Sequence, residues 1–282
     1  MKTLWLFGDS FTAGHWGEDL FFTQGVTYKW DDSVYKRRSF AEDLKTLLNC
    51  DNVVNLARGG GSNFTILSKL IEHLSEIQPN DIVVIGTSTD TRYTYCASLS
   101  KDKMEPLNWG VRHDLQLFVE GKEESIPKWV GEVFSHLTKD QLNEIITFYT
   151  NHNVQENSHI VLHNKLVKSR IVDLCKTINV RLGAKAYIWG DELWEYPSNK
   201  NEEFSRDKNW GPHTVFETVY TWTNKLSHDG HWSPNGYLLA AYFLSHCVKS
   251  GIHTITVKDL ANWYVDQGSE LKRNLEYIPF AP

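Results

Sequence analysis

Residues 4–14, LWLFGDSFTAG, decide the fold. The apolar run 4–7 has the length of a buried strand, and the small and polar residues Gly8, Asp9 and Ser10 end it. A serine is thereby placed at the carboxyl end of a predicted strand, which is the edge where open α/β sheets bind ligands. These three residues alone are equally typical of a simple turn. A catalytic interpretation therefore depends on what the rest of the chain supplies.

Strands and helices alternate over most of the sequence. Further strands are predicted at 53–56, 81–86 and 184–190, and helices at 39–49, 62–78, 138–153, 158–180 and 237–248. The third strand, DIVVIG at 81–86, is apolar throughout, as strands covered on both faces are. Because parallel neighbours require helical crossovers, this order predicts an α/β fold with a parallel sheet.

One domain is predicted over residues 1–282. The alternation breaks down at 96–137, where prolines and tryptophans interrupt every pattern, and we interpret this stretch as an insertion or lid within that domain. It directly follows the third strand's carboxyl end, so we expect it to shape substrate access. Residues 11–38 are predicted to be loop with short helix, and the stretch after Gly251 is left unassigned.

Composition and net charge limit the classes of partner that the chain is expected to bind. Hydrophobic residues make up 41% of the chain and charged residues 23%, as in ordinary soluble proteins, and the net charge of -6 does not favour nucleic acid or an anionic membrane. A small, neutral or weakly charged substrate fits better. Four widely spaced cysteines form no CxxC pair, and no metal or cofactor is predicted. The oligomeric state is not predicted.

The sequence also gives an expectation about location. No run approaches the roughly 20 apolar residues that span a bilayer. The residues before Gly8 are too few for the apolar core of a signal peptide. We therefore expect a cytoplasmic protein, and a virion component would share these features.

The segment 227–237, SHDGHWSPNGY, carries the second part of the chemistry. A serine hydroxyl needs a base to take its proton, and the base needs a third group to fix its tautomer. Ser10, His231 and Asp229 can fill these three roles. Asp229 is preferred over His228 as the orienting group because a carboxylate stabilises an imidazolium. With twelve histidines in the chain, one beside an Asp is unsurprising, so the loop is weak evidence alone.

Two more turns match the needs of acyl transfer. The glycines at 59–61 can present backbone N–H groups to an oxyanion with no Cβ in the way. The polar residues at 87–90 follow the third strand. In a doubly wound sheet, these turns and both catalytic segments open on one edge.

Together these blocks resemble the SGNH hydrolase superfamily, also called GDSL esterases and lipases. Gly8, Asp9 and Ser10 match the first conserved block of this superfamily, and residues 55–63 (NLARGGGSN) resemble the second. Asp229 and His231 resemble the last block, with one residue fewer between them than is usual. The third block departs from the family, since Ser88 stands where an Asn is usual. The Ser and Thr residues at the end of this strand, followed by Arg92, resemble the same segment in bacteriophage branches of the superfamily. The Asp-x-His-Trp motif at 229–232 is similar to the motif of alginate O-acetyltransferase relatives in this superfamily.

The resemblance implies a flavodoxin-like three-layer αβα sandwich and a serine esterase. It implies a catalytic triad of Ser10, His231 and Asp229, an oxyanion hole of Ser10, Gly60 and Ser88, and substrate contacts from Asn63 and Trp232. The α/β-hydrolase fold is set aside because residues 8–12, GDSFT, lack the second glycine of G-x-S-x-G.

The predicted substrate is a small acyl ester, such as an acetyl ester, of a carbohydrate or small molecule. Two alternatives stay open: acyl transfer to a sugar or nucleoside hydroxyl, and a non-catalytic binding or virion protein on the same fold. Tryptophans crowd the loops expected around Ser10, and packing of a lid accounts for them better than sugar stacking.

Overall fold

The computed structural model describes residues 1–13, 21–23, 26–28, 40–58, 61–88, 90, 92–96, 104–107, 109–122, 124, 134–135, 137–152, 159–190, 234–263, 266–267 and 270–271. The strands in this part of the chain are β1 (Thr3–Phe7), β2 (Phe21–Thr23), β3 (Val26–Tyr28), β4 (Asn52–Asn55), β5 (Ile82–Gly86), β6 (Tyr93–Cys96), β7 (Met104–Leu107), β8 (Lys185–Trp189) and β9 (Thr254–Ile255). The α-helices are α1 (Ser10–Ala13), α2 (Phe40–Leu47), α3 (Asn63–Glu72), α4 (Trp109–Val119), α5 (Lys139–His152), α6 (His159–Thr177), α7 (Pro234–Lys249) and α8 (Val257–Trp263).

The chain divides into two compact units. Unit 1 comprises Met1–Gly59, His73–Thr87 and Cys175–Pro282, and unit 2 comprises Gly60–Glu72 and Ser88–Leu174. The single domain over 1–282 stays a prediction, because compact units of this kind also occur within one domain. The stretch 96–137 belongs to unit 2, and its role as a lid likewise stays a prediction.

Unit 1 contains a parallel sheet. Its described strands lie in the order β4-β1-β5-β8-β9, and each neighbouring pair is parallel. Counted along the chain, this is the order 2-1-3-4-5 of flavodoxin-like folds. The predicted α/β class and its flavodoxin-like three-layer arrangement are confirmed.

The core of unit 1 shows why the central strands are apolar throughout. Alternate residues of β1, β5 and β8, among them Leu6, Val84 and Tyr187, pack in one cluster with Leu44 of α2 and Phe243 of α7. The intervening residues of these strands are buried as well. Strands covered on both faces lose the alternation of an exposed sheet, so they appear in the sequence as continuous apolar runs.

A buried carboxyl group closes the amino end of this sheet. Asp81, which precedes β5, accepts hydrogen bonds from Thr3 N–H at 2.8 Å, Trp5 Nε1–H at 2.9 Å and Gln78 N–H at 2.9 Å. Its side chain is buried. Asp81 therefore joins the beginnings of β1 and β5.

Unit 2 is built from a hairpin and helices. Strands β6 and β7 pair antiparallel. Residues of α4, α5 and α6, among them Leu115, Leu142, Tyr149 and Ile160, form a separate apolar cluster with Phe134. The predicted helix start at Thr138 is confirmed: Thr138 N–H donates to Gln141 Oε1 at 2.9 Å, and Gln141 N–H donates to Thr138 Oγ1 at 3.3 Å.

Several elements differ from the sequence-based expectation. The hairpin of β2 and β3 lies in the stretch predicted as loop, and β6, β7 and α4 lie in or beside the stretch without a pattern. Strand β9 and helix α8 occupy part of the unassigned end. Helix α7 begins at Pro234 and not at 237, since proline is favoured in the first turn of a helix, where its missing N–H has no partner to lose.

Candidate functional site

The carboxyl end of β1 holds the predicted nucleophile. Strand β1 ends at Phe7, and Ser10 begins the single turn α1. Ala13 N–H donates to the Asp9 carbonyl at 2.9 Å, which closes that turn directly after the strand. Asp9 itself is buried. This is the strand-turn-helix position that the sequence predicts for Ser10.

Thr12 packs this turn against the ends of two strands. Its side chain is fully buried, and a Cβ added to Gly8 or to Gly86 would collide with Thr12 Oγ1. At Gly86, the added Cβ would also lie 2.5 Å from Trp189 Nε1. Glycine is required at both positions because any side chain would push α1 away from β1 and β5. Thr12 Oγ1 finds no hydrogen-bond partner within the described part of the chain.

Asn55 joins the end of β4 to the same turn. Its Nδ2 donates to the Ala13 carbonyl at 3.3 Å, and its Oδ1 accepts from Ala57 N–H at 3.1 Å. Arg58 N–H donates to the Gly8 carbonyl at 3.0 Å, so the chain beyond β4 stays beside the end of β1. The chain then reaches residues 59 and 60, which lie outside the described residues. Asn55 and Arg58 thus connect the end of β4 to the turn that begins with Ser10.

The end of β5 is held by backbone pairing. Thr87 N–H donates to the Trp189 carbonyl at 2.9 Å, and Thr87 Oγ1 lies 3.3 Å from the same oxygen. The pairing of β5 with β8 therefore continues one residue beyond Gly86. Ser88, the predicted third oxyanion donor, is the next residue and belongs to unit 2.

Within unit 2, Asn63 holds the Ser88 backbone. Asn63 Nδ2 donates to the Ser88 carbonyl at 2.8 Å, and Ser88 N–H donates to Asn63 Oδ1 at 2.8 Å. Both side chains are fully buried. That Asn63 contacts substrate stays a prediction, but its amide is engaged with Ser88 in this structure.

Asn164 of α6 extends the network. Its Oδ1 accepts from Asn63 Nδ2 at 3.3 Å, and its Nδ2 lies 2.9 Å from the Asp90 carbonyl and 2.8 Å from the Arg92 carbonyl. Lys168, one turn along α6, forms an ion pair with Asp90 at 2.9 Å. Residues 88, 90 and 92 are thus bound by side chains from two helices of unit 2.

The remaining predicted site residues lie outside the described residues. These are Gly60, Asp229, His231 and Trp232, together with His228. The catalytic triad and the Gly60 oxyanion donor stay predictions. Of the predicted oxyanion group, the structure describes the backbone of Ser10 and the surroundings of Ser88.

Three of the four cysteines, Cys50, Cys175 and Cys247, are poor nucleophiles. Burial raises the pKa of the Cys175 thiol to about 12 and that of Cys247, also buried, to about 12. Burial likewise raises the pKa of Cys50. A thiol acts as a nucleophile through its thiolate, so these three are inert at neutral pH.

The described residues contain no cluster of three or more His, Cys, Asp or Glu side chains that could hold a metal ion. Among the helices of that same part of the chain, none combines the length and the apolar character needed to cross a membrane.

Sequence reasoning missed the packing of Thr12 against Gly8 and Gly86 and the contacts of Asn164. Asn164 has no local signal: its contact with Asn63 spans 101 positions. Such a contact appears only once the fold is known.

Neither the models of known protein families nor the curated protein sequences gave a match. Among solved structures, the chain is similar to the lipase Lip_vut3 from a goat rumen metagenome, with 16% identity over 90% of this chain and 99% of the lipase, and a TM-score of 0.28. At this level of identity and superposition, the likeness assigns neither a family nor an activity.

Proposed function

We propose that this protein is a serine esterase of the SGNH type that removes a small acyl group, such as acetyl, from a carbohydrate or another small ester. The observation that carries the proposal is the place of Ser10. It begins a turn at the carboxyl end of β1, an interior strand of a sheet of flavodoxin-like order. Ligands bind at this edge of such sheets.

In the proposed reaction, Ser10 attacks the ester carbonyl while His231 takes its proton. The tetrahedral oxyanion receives hydrogen bonds from the N–H groups of Ser10 and Gly60 and from the Ser88 hydroxyl. His231 then protonates the leaving alkoxide, and a water activated by His231 releases the acid from the acyl-enzyme. Asp229 holds His231 in the required tautomer.

The test is Ser10-dependent turnover of p-nitrophenyl acetate and butyrate. Ser10→Ala should lower kcat by more than about 1,000-fold, and a fluorophosphonate probe should label Ser10. Ser245→Ala is the matched control, since Ser245 is a buried serine of α7, and it should keep wild-type turnover. Equal turnover in wild type and Ser10→Ala, with no labelling, would refute the esterase proposal and leave the non-catalytic alternative.

The role of Asp229 has its own test. Asp229→Asn should fold normally and lose turnover on the order of 10⁴-fold through the wrong imidazole tautomer. His228→Gln should keep a substantial part of it. The reverse result would show that Asp229 does not orient His231.

A second candidate is acyl transfer to a sugar or nucleoside hydroxyl. The observation that favours it is the sequence Asp229-x-His231-Trp232, because an aromatic side chain beside the base helps to keep water from the acyl-enzyme. Product analysis with an acetyl donor and a sugar acceptor separates the two reactions. An O-acetylated sugar formed faster than acetate would favour transfer.

A further inference from the structure

The turn α1, which begins with Ser10, is too short to hold its own position. It has four residues, and Ala13 N–H closes it on the Asp9 carbonyl. A helical turn of this length has little stability of its own, so packing against the rest of the protein decides where it lies. The position of Ser10 therefore depends on the side chains that fix α1 to the strands of unit 1.

Thr12 packs α1 against two strands at once. A Cβ added to Gly8, directly after β1, or to Gly86, the last residue of β5, would in each case meet Thr12 Oγ1 first. Strands β1 and β5 are neighbours in the sheet. The Thr12 oxygen thus fills the space that the two glycines leave open, and it acts as a spacer between α1 and both strand ends.

The Thr12 hydroxyl acts there through its size and not through a hydrogen bond. Its side chain is fully buried, and Oγ1 has no hydrogen-bond partner within the described residues. A buried hydroxyl without a partner lowers stability, and such a group in a folded protein indicates a role other than stability. A methyl group would avoid this cost, but it is larger than an oxygen and would press on both glycines.

We propose that Thr12 is a positioning residue for the nucleophile, and that its Oγ1 sets how close α1, and with it Ser10, lies to the ends of β1 and β5. This inference rests on the proposed esterase function. Thr12 does not act on the substrate itself. It acts through the backbone of Ser10, whose N–H is a proposed oxyanion donor, and a displacement of about 1 Å there can lower turnover by about 100-fold.

Three substitutions of Thr12, assayed on p-nitrophenyl acetate, test this role. Thr12→Ala removes the spacer, and Thr12→Val replaces its oxygen with a larger methyl group. Each should lower kcat by at least about 10-fold with KM within about 3-fold, because the displaced Ser10 affects the transition state more than ester binding. Thr12→Ser keeps the oxygen and loses only the methyl group, so it should keep kcat within about 3-fold of wild type.

The matched control is Val248→Ala. Val248 is buried near the end of α7, and its substitution removes the two side-chain groups beyond Cβ, as Thr12→Ala does. The hydrogen bond that the Val248 carbonyl accepts from the Tyr187 hydroxyl at 3.1 Å belongs to the backbone and survives. This variant should lower the unfolding temperature and leave kcat unchanged. A purely structural role for Thr12 would make the two alanine variants alike.

Two results would overturn the inference. One is wild-type kcat in Thr12→Ala or in Thr12→Val. The other is a loss of kcat in Thr12→Ser as large as that in Thr12→Val. The valine and serine variants decide the question even where Thr12→Ala does not fold, because each changes a single heavy atom. Both results leave Ser10→Ala inactive, whereas turnover that does not depend on Ser10 would refute the esterase proposal and this inference with it.

Discussion

Asp81→Ala should weaken the fold more than the loss of a surface carboxylate does. The Asp81 carboxyl group accepts hydrogen bonds from Thr3 N–H, Trp5 Nε1–H and Gln78 N–H at the amino end of the sheet. The backbone of residue 81 makes its own bonds to Gln78 and Lys185, and these survive the substitution. The variant therefore removes side-chain bonds and leaves strand pairing in place.

The magnitude follows from the burial of the three donors. The bond from Trp5 Nε1 is buried, and losing a buried bond to a charged acceptor costs about 2 to 3 kcal/mol. The other two bonds are partly buried, so water can replace the carboxylate and each loss costs about 0.5 to 1 kcal/mol. The expected total is about 3 to 5 kcal/mol.

Urea unfolding followed by far-ultraviolet circular dichroism measures this loss, because the signal does not depend on the surroundings of Trp5. Asp51→Ala is the matched control. Asp51 also accepts a backbone N–H at this end of the sheet, from Lys2 at 2.6 Å, but in an exposed position, and its loss should cost less than about 1 kcal/mol. A difference of less than about 1 kcal/mol between the two variants would refute the reasoning.

Three further outcomes are expected. Gly86→Ala should cost about 1 to 3 kcal/mol in urea unfolding, because its Cβ would collide with the Thr12 side chain; a loss under about 0.5 kcal/mol would contradict this packing. Because burial raises the pKa of the Cys175 thiol to about 12, iodoacetamide at neutral pH should modify it only in unfolded protein, and mass spectrometry showing rapid modification of the native protein would contradict that burial. Burial, and then the charge of the nearby His159, lower the pKa of His163. The contribution of neutral His163 to the stability of the fold is therefore present above the usual imidazole pKa and is lost as the pH falls. His159→Gln should raise the pKa of His163 in an NMR titration, and an unchanged or lower value would contradict the coupling of the two histidines.

Four strands of the parallel sheet could be predicted, and for three of them, β1, β5 and β8, burial leaves a clear pattern. The predictions at 4–7, 53–56, 81–86 and 184–190 match β1, β4, β5 and β8 within one residue at each end. Each is bounded by small or polar residues, and three of the four are buried along nearly their whole length. In a soluble chain, a short apolar run between such residues is typical of a strand covered on both faces.

The short strands could not be predicted for the opposite reason. Strand β9 has two residues, and β2 and β3 have three each, which is too few to show a period. Strand β7 contains Pro106, which argues against a strand because proline donates no hydrogen bond. The structure accommodates it in a two-stranded hairpin, where a strand has an unpaired edge.

The candidate site was predictable only where it is local. The place of Ser10 follows from a strand that ends three residues earlier. The environment of Ser88 depends on Asn63 and Asn164, which lie 25 and 76 positions along the chain in opposite directions. The sequence around an asparagine in a helix does not show which distant residue its side chain will contact, so these contacts could not be predicted.

The two ends of the sheet are held in different ways: polar side chains make hydrogen bonds at the amino end, and glycines allow close packing at the carboxyl end. At the amino end, Asp81 and Asn179 use carboxyl and amide groups to satisfy partly buried backbone N–H groups, so substitution there removes these hydrogen bonds and acts on the free energy of unfolding. At the carboxyl end, Gly8 and Gly86 let Thr12 bring α1 against β1 and β5. Added bulk at either glycine would displace the turn that begins with Ser10, and displacement by 1 Å can lower turnover by about 100-fold. Variants at the amino end should therefore shift the unfolding midpoint with kcat unchanged, while glycine variants at the carboxyl end should lower kcat beyond what their loss of stability accounts for.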